Sequence, residues 1–136
     1  MSLSGVSLQK GCVESFTELK LKKAHKFIIY KLSDDLKEIV VDKAVSAGTY
    51  DEFLAELPVD QCRYAVYDFD YTLPDGERNK IVFYTWSPDD AKTRTKMVYS
   101  SSKDALRKAL QGVAIEIQGT DLDEVAHDTV LERIRR

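Results

Sequence analysis

The sequence predicts an α+β fold: one domain built on a mixed sheet with helices packed on its faces. Three observations carry that expectation. Stretches rich in β-branched and aromatic residues recur along the chain, two of them joined by a Pro74-Asp75-Gly76 turn. Stretches with helical periodicity interrupt them. The 136 residues, 43% of them hydrophobic, are enough for one self-standing core and too few for two.

The elements follow in chain order. Residues 1–6 are small and polar, and are expected to be a flexible segment ahead of a single domain over 7–136. Ser7 is a candidate cap for a helix reaching Lys20, with Val13, Phe16 and Leu19 on one side. Residues 26–32 (KFIIYKL) and 38–43 (EIVVDK) read as two strands of a hairpin, turned at Ser33-Asp34-Asp35. Thr49 caps a short helix over 50–57, and Pro58 follows its end. Residues 63–71 (RYAVYDFDY) form a strand, and 80–86 (KIVFYTW) a central strand buried on both faces. Ser87-Pro88-Asp89 is expected to open a long helix through Ala109, with a possible bend at Ser100-Ser101-Ser102 and an end at Gln111-Gly112. Residues 113–118 complete the sheet, and Asp121 caps a last helix running almost to the terminus.

Composition excludes several classes. Cys12 and Cys62 stand fifty residues apart with no CxxC, which argues against a disulfide framework or a Cys-rich zinc site and fits a reducing compartment. No apolar run is long enough to span a membrane, and the opening Met1-Ser2-Leu3-Ser4-Gly5 has no leader-peptide pattern, so an intracellular protein is expected. The net charge of −3 argues against general nucleic-acid binding. The charge is unevenly spread: residues 92–108 hold six basic residues and one acid, while 34–60, 68–77 and 116–128 are mostly acidic. Such two-sidedness can steer a partner onto one face.

Enzyme signatures are missing. There is no Gly-rich phosphate loop, His25 and His127 are isolated, and the SxxK match at Ser100–Lys103 lacks its companions. No cofactor and no metal are expected. Asp68 and Asp70 alternate along a strand and are read as a solvated face; Asp121, Asp123 and Glu124 lack a calcium loop's glycine and spacing. The two cysteines are read as packing residues.

The predicted helix over 90–109 is the sharper signal. On an ideal helix Lys92, Lys96, Lys103 and Arg107 fall within about 60° of arc, an outward basic stripe. Ala91, Val98, Ala105, Leu106 and Ala109 occupy the sector expected to face the sheet. Met97 lies on neither, and an exposed methionine beside lysines suits an adaptable protein contact. Several basic side chains on one helix also suit anionic lipid phosphates.

The run Thr85-Trp86-Ser87-Pro88-Asp89, followed by Arg94-Thr95-Lys96-Met97-Val98-Tyr99-Ser100-Ser101-Ser102-Lys103-Asp104-Ala105-Leu106, resembles the signature of the ADF/cofilin family. Ser4-Gly5-Val6, Tyr64-Ala65-Val66-Tyr67-Asp68-Phe69, Arg78-Asn79-Lys80-Ile81-Val82-Phe83 and Leu131-Glu132-Arg133-Ile134 extend the likeness, in order, over essentially the whole chain. The short tail is like that of the fungal members.

That resemblance implies a mixed sheet of five or six strands with helices on both faces. It implies a monomeric, cytoplasmic, non-enzymatic protein of the actin cytoskeleton and its cortical patches. Such a protein binds ADP-actin monomers and filaments, changes filament twist and severs. Carried over by position, the surface for both actin forms is Ser4, Gly5, Val6, Arg94, Lys96, Met97, Asp104, Arg107, Lys108, Asp121 and Glu124. The filament-only surface is Arg78, Lys80, Glu132, Arg133 and Arg136. Phosphoinositides are implied as inhibitors at Lys96, Lys103, Arg107 and Lys108, and Ser4 as the phosphorylated serine. The family's pH-linked histidine aligns near Ile115, and the basic import-like run of some animal members is replaced here by Tyr30-Lys31-Leu32-Ser33-Asp34-Asp35. The alternatives are a non-severing module of the same fold, coactosin-like or twinfilin-like, and a phosphoinositide-binding adaptor. One tension is internal: an ideal helix puts Arg94 about 160° from Lys96.

Overall fold

A computed structural model describes residues 5–135. Its centre is a six-stranded mixed sheet in the order β1-β3-β2-β4-β5-β6. The strands are β1 (Ser7–Leu8), β2 (Phe27–Leu32), β3 (Glu38–Val45), β4 (Arg63–Leu73), β5 (Gly76–Trp86) and β6 (Val113–Gly119). The helices are α1 (Gly11–Lys22), α2 (Tyr50–Ala55), α3 (Thr93–Ala109) and α4 (His127–Arg135).

Alternation along the central strands builds two cores, one on each face. Ile28 and Tyr30 of β2, Tyr64 and Val66 of β4, and Ile81 and Phe83 of β5 face α1 and α3, where Phe16, Leu19, Tyr99 and Leu106 meet them. Phe27, Ile29, Ala65, Tyr67, Val82 and Tyr84 face the other way, against Phe53 of α2 and Val130 and Ile134 of α4. The helices therefore cover both faces, and β2, β4 and β5 are buried on both sides, as their near-continuous apolar runs require.

The hairpin β4–β5 pairs from Arg63 with Trp86 to Leu73 with Gly76. Pro74 and Asp75 make the turn, and Gly76 at φ 136° holds a conformation that a side chain would strain. Strands β5 and β6 are parallel and joined through α3, a crossover that keeps α3 on one face.

The chain departs from the sequence-based expectation at five points. Ser7 does not cap a helix: Ser7 and Leu8 pair in parallel with Glu38 and Ile39, and α1 starts only at Gly11. The buried side of α1 is Cys12, Phe16 and Leu19, while Val13 is exposed. Cys12 is small enough to lie against the sheet, where its Sγ donates to the Ile39 carbonyl. Pro88 lies ahead of α3, not in its first turn. A separate turn, closed by Ala91 N–H to the Pro88 carbonyl, drops Ala91 into the core, and the helix starts afresh at Thr93. The serine triplet makes no break, and α3 runs unbroken from Thr93 to Ala109. Asp121 does not start a helix: it closes a turn by accepting from Glu124 N–H, and α4 begins at His127.

The acidic pair on β4 also divides. Asp70 is exposed and pairs with Lys26, but Asp68 is only 5% exposed, so it is not part of a solvated face. Lys23 Nζ at 3.0 Å and Asn79 Nδ2 at 2.8 Å donate to its carboxylate. A buried charge needs such partners, and removing one costs more than an exposed pair gains. Both cysteines are buried packing residues, and burial pushes the Cys12 thiol up to about 11, out of the reactive range.

Candidate protein-binding surface

The rotation of α3 about its axis decides which of its side chains a partner can meet. Tyr99, Ser102 and Leu106 are buried against the sheet. Two tyrosine hydroxyls fix that rotation from the protein side. Tyr64 Oη donates to the Tyr99 carbonyl in mid-helix, and Tyr99 Oη accepts from Leu32 N–H at 2.9 Å. Ser102, fully buried, lets the helix approach the sheet closely.

This rotation differs by about 50° from the one its small apolar residues suggest. Val98, Ala105 and Ala109 are only half-buried, on one flank. Lys96, Lys103 and Arg107 lie half-buried on the opposite flank and do not form the outward stripe. The outermost positions are Arg94, Met97, Ser101, Asp104 and Lys108, all exposed, spaced i, i+3, i+7, i+10, i+14 and confined to about 80° of arc. The tension between Arg94 and Lys96 is thereby explained without distorting the helix: they belong to different faces. Met97 is 67% exposed on the outward face, one turn from Arg94 and two turns from Asp104.

The flank cations have local partners. Lys96 Nζ donates to the Asp89 carbonyl at 2.9 Å. Arg107 Nε lies 3.2 Å and Lys103 Nζ 3.9 Å from the Glu116 carboxylate on β6. Their charge is partly met inside the molecule.

Two further segments carry candidate residues. Residues 5–8 lie beside α3, Gly5 at φ +78° and Val6 turned into the α1–α3 core at 4% exposure. Val6 is thus a packing residue in this conformation, not an exposed apolar contact. The loop after β6 leaves the sheet at the same end as the segment leading into α3, because Gly119 pairs with Trp86 and its carbonyl accepts from Ser87 N–H. In that loop Asp121 and Glu124 hold each other's turn. Glu124 Oε1 accepts from Thr120 N–H and Oγ1–H at 2.8 and 2.6 Å, which keeps its carboxyl below the ordinary value. Between them Leu122 is 53% exposed. Sequence reasoning passed over Leu122; its signal was a lone large apolar residue in an acidic turn.

The second group of candidates sits elsewhere. Arg78 and Lys80 are on the α4 face of β5, at its starting end, roughly 26 and 20 Å along the strand from Trp86. Arg78 is exposed and pairs with Asp75 at 2.6 Å. Lys80 Nζ reaches the Ile134 carbonyl at 3.3 Å, so it ties β5 to the last turn of α4, which also carries Glu132 and Arg133 on exposed positions. The molecule thus offers two separate charged surfaces, on opposite faces of the sheet. Ser4 and Arg136 lie outside the described residues.

Among the described residues, no group of three or more His, Cys, Asp and Glu is arranged to hold a metal ion, and no helix is long and apolar enough to cross a membrane.

Comparison with known proteins gives a consistent picture. The family model described as cofilin/tropomyosin-type actin-binding protein matches residues 5–135. A cofilin of Mycosarcoma maydis is 58% identical over 134 residues, covering 98% of this chain and 96% of the relative. A cofilin of Ogataea parapolymorpha is 57% identical over 138 aligned positions, covering all of this chain and 96% of the relative. The crystal structure of Streptomyces griseoflavus cofilin superposes with a TM-score of 0.90 at 53% identity, covering 95% of this chain and 96% of that one. The order of the motifs, the two-faced sheet and these matches along nearly the whole length agree: the chain belongs to the cofilin/ADF family of actin-binding proteins.

Proposed function

We propose that this protein binds actin monomers and the sides of actin filaments, prefers ADP-bound subunits, changes filament twist and severs. It acts by binding and not by catalysis, as a monomer, in the cytoplasmic actin cytoskeleton and its cortical patches. One observation carries the reading: in a member of an actin-binding family, α3 turns Arg94, Met97, Asp104 and Lys108 outward together, exposed on one face. An exposed methionine on a face that also carries charges of both signs suits a contact surface, with an apolar anchor and a polar rim. The segment at Gly5 and the turn at Asp121–Glu124 extend it, with Leu122 as a second apolar contact. Ser4 belongs to the same surface in this reading.

Filament binding adds Arg78, Lys80, Glu132, Arg133 and Arg136. Two surfaces on opposite faces of one domain suit simultaneous contact with two neighbouring subunits. Twist change then follows from differential affinity: the domain favours the filament geometry in which both surfaces are satisfied, and the preference sums over adjacent sites. Strain collects where decorated and bare segments meet, and the filament breaks there.

Co-sedimentation with ADP-actin filaments, with breaks scored by microscopy on labelled filaments, tests this directly. Binding with new breaks is expected. Binding without breaks supports the coactosin-like or twinfilin-like alternative, and no binding by folded protein overturns the reading. Ser4 is the proposed phosphorylation site, since a phosphate there adds nearly two negative charges to a surface that must be desolvated. Ser4→Asp is expected to weaken actin binding with an unchanged melting temperature; normal affinity would remove Ser4 from the surface.

A second reading concerns the flank of α3. Lys96, Lys103 and Arg107, with Lys108 beside them, form a cationic cluster suited to phosphoinositide headgroups. Occupation there would exclude actin by overlap at Lys108 and by the bulk of the membrane.

A further inference from the structure

Glu116 stands inside the cationic cluster on α3 and is not part of any surface assigned above. It projects from β6 with 41% of its side chain exposed, and its two carboxylate oxygens divide between two cations. Oε2 lies 3.2 Å from Arg107 Nε, and Oε1 lies 3.9 Å from Lys103 Nζ. Neither contact is a well-formed hydrogen bond. The Arg107 Nε is shielded from solvent and lacks hydrogen-bond geometry despite its short distance to the carboxylate. The guanidinium's other nitrogens and the Lys103 ammonium therefore keep donors to offer. A loosely held, half-exposed carboxylate between two cations is a displaceable counter-ion, not a structural ion pair.

We infer that Glu116 is a specificity-determining residue for the cationic flank of α3: it competes with the phosphate groups of an anionic headgroup for Lys103 and Arg107. The inference rests on the phosphoinositide reading given above and deepens it. A headgroup with several clustered phosphates offers enough charge and acceptors to displace one carboxylate. A headgroup with a single phosphodiester charge does not. Glu116 therefore sets a threshold that rejects ordinary anionic lipid and admits multiply phosphorylated headgroups. Position carries a second consequence. Glu116 faces the flank of α3, away from Arg94, Met97 and Asp104, so its charge tunes lipid binding with little effect on the outward face.

The test compares the full-length protein with Glu116→Gln, a near-isosteric change at a half-exposed position. Binding is measured to phosphatidylcholine vesicles carrying phosphatidylinositol 4,5-bisphosphate, to vesicles of equal charge carrying phosphatidylserine, and to free inositol 1,4,5-trisphosphate. Removing one negative charge from the cluster should tighten binding to the bisphosphate vesicles about fivefold. It should also raise binding to the phosphatidylserine vesicles, narrowing the preference between them. The same tightening toward inositol trisphosphate assigns the competition to the headgroup phosphates; tightening on vesicles alone assigns it to the charge of the membrane surface. In a Lys103→Ala/Arg107→Ala background the Glu116→Gln effect should vanish, and filament binding by Glu116→Gln itself should stay within about twofold of normal. Vesicle binding by the unmodified protein with no change in Glu116→Gln overturns this inference and leaves the lipid reading standing. No binding by either protein to any of the three overturns both.

Discussion

The two charged surfaces differ in how much they contribute to the fold. On the outward face of α3, Arg94, Met97, Asp104 and Lys108 project from a helix whose buried side is already secured by Tyr99, Ser102 and Leu106. On the other face of the sheet, Lys80 bonds the last turn of α4 and Arg78 bonds the Asp75 of its own hairpin turn. The first surface is a face left over after folding, while the second is partly used in folding. Substitutions on α3 should therefore separate binding from stability cleanly. Those around Lys80 should mix the two.

The largest effect expected is from Arg94→Ala combined with Lys108→Ala. If the α3 face is the shared actin surface, affinity for monomers and filaments falls together by at least about thirtyfold. The melting temperature should stay within a degree or two, since both side chains are exposed. A large loss of stability would erase the contrast between the surfaces. Next, Met97→Ala should weaken both actin forms by about five- to tenfold through lost apolar contact, again without destabilisation. An unchanged affinity would move the contact centre toward Leu122.

The third prediction concerns the other surface. Arg78→Ala should reduce filament binding and severing while sparing monomer binding and stability. Lys80→Ala should do the same and also cost about 1 kcal/mol in denaturant unfolding, because a charged donor to the Ile134 carbonyl is lost. Loss of monomer binding by either variant would break the two-surface assignment. Equal stability of both variants would show that the Lys80 contact to α4 is dispensable.

The smallest effect belongs to the turn after β6. Hydrogen bonds from Thr120 hold the Glu124 carboxyl below its ordinary value in the folded state. A depressed carboxyl stabilises the fold above its unfolded value, and that stabilisation is lost as pH falls through the folded value. Glu124→Gln should therefore lower stability slightly near neutrality, where the contribution is fully present, and flatten the acid limb below about pH 4.5, with little change at the acid end. An unaltered acid limb would mean that the turn is held by Asp121 alone.

The element order was legible in the sequence because each central strand carries its own signal. β4 and β5 are nearly continuous runs of apolar and aromatic residues around a Pro-Asp-Gly turn, and Thr49 caps α2 by accepting from Glu52 N–H as its residue type suggests. Two of the misread boundaries share one cause: local signals were outcompeted by tertiary pairing and packing. Ser7 has a capping residue's chemistry, but the backbone at Ser7 and Leu8 finds partners on β3, thirty residues away. Pro88 suits a first turn, yet burying Ala91 required a separate turn before the helix. Asp121 does cap, but only a turn.

The sequence by itself determined the strands and helices, the two-sided charge and the membership of a family whose motif spans residues 85–106. Tertiary structure alone decided which side of α3 faces outward. Periodicity weighs residues by hydrophobicity, so it placed Val98, Ala105 and Ala109 against the sheet and left the lysines outward. In the folded protein, a hydroxyl from Tyr64, the hydroxyl of Tyr99 and the small volume of Ser102 set the rotation instead. Those are hydrogen bonds and a close approach between segments distant in sequence, and no pattern along one helix encodes them. The same rotation brings Lys103 and Arg107 against Glu116, a contact between helix and strand that only the assembled sheet creates.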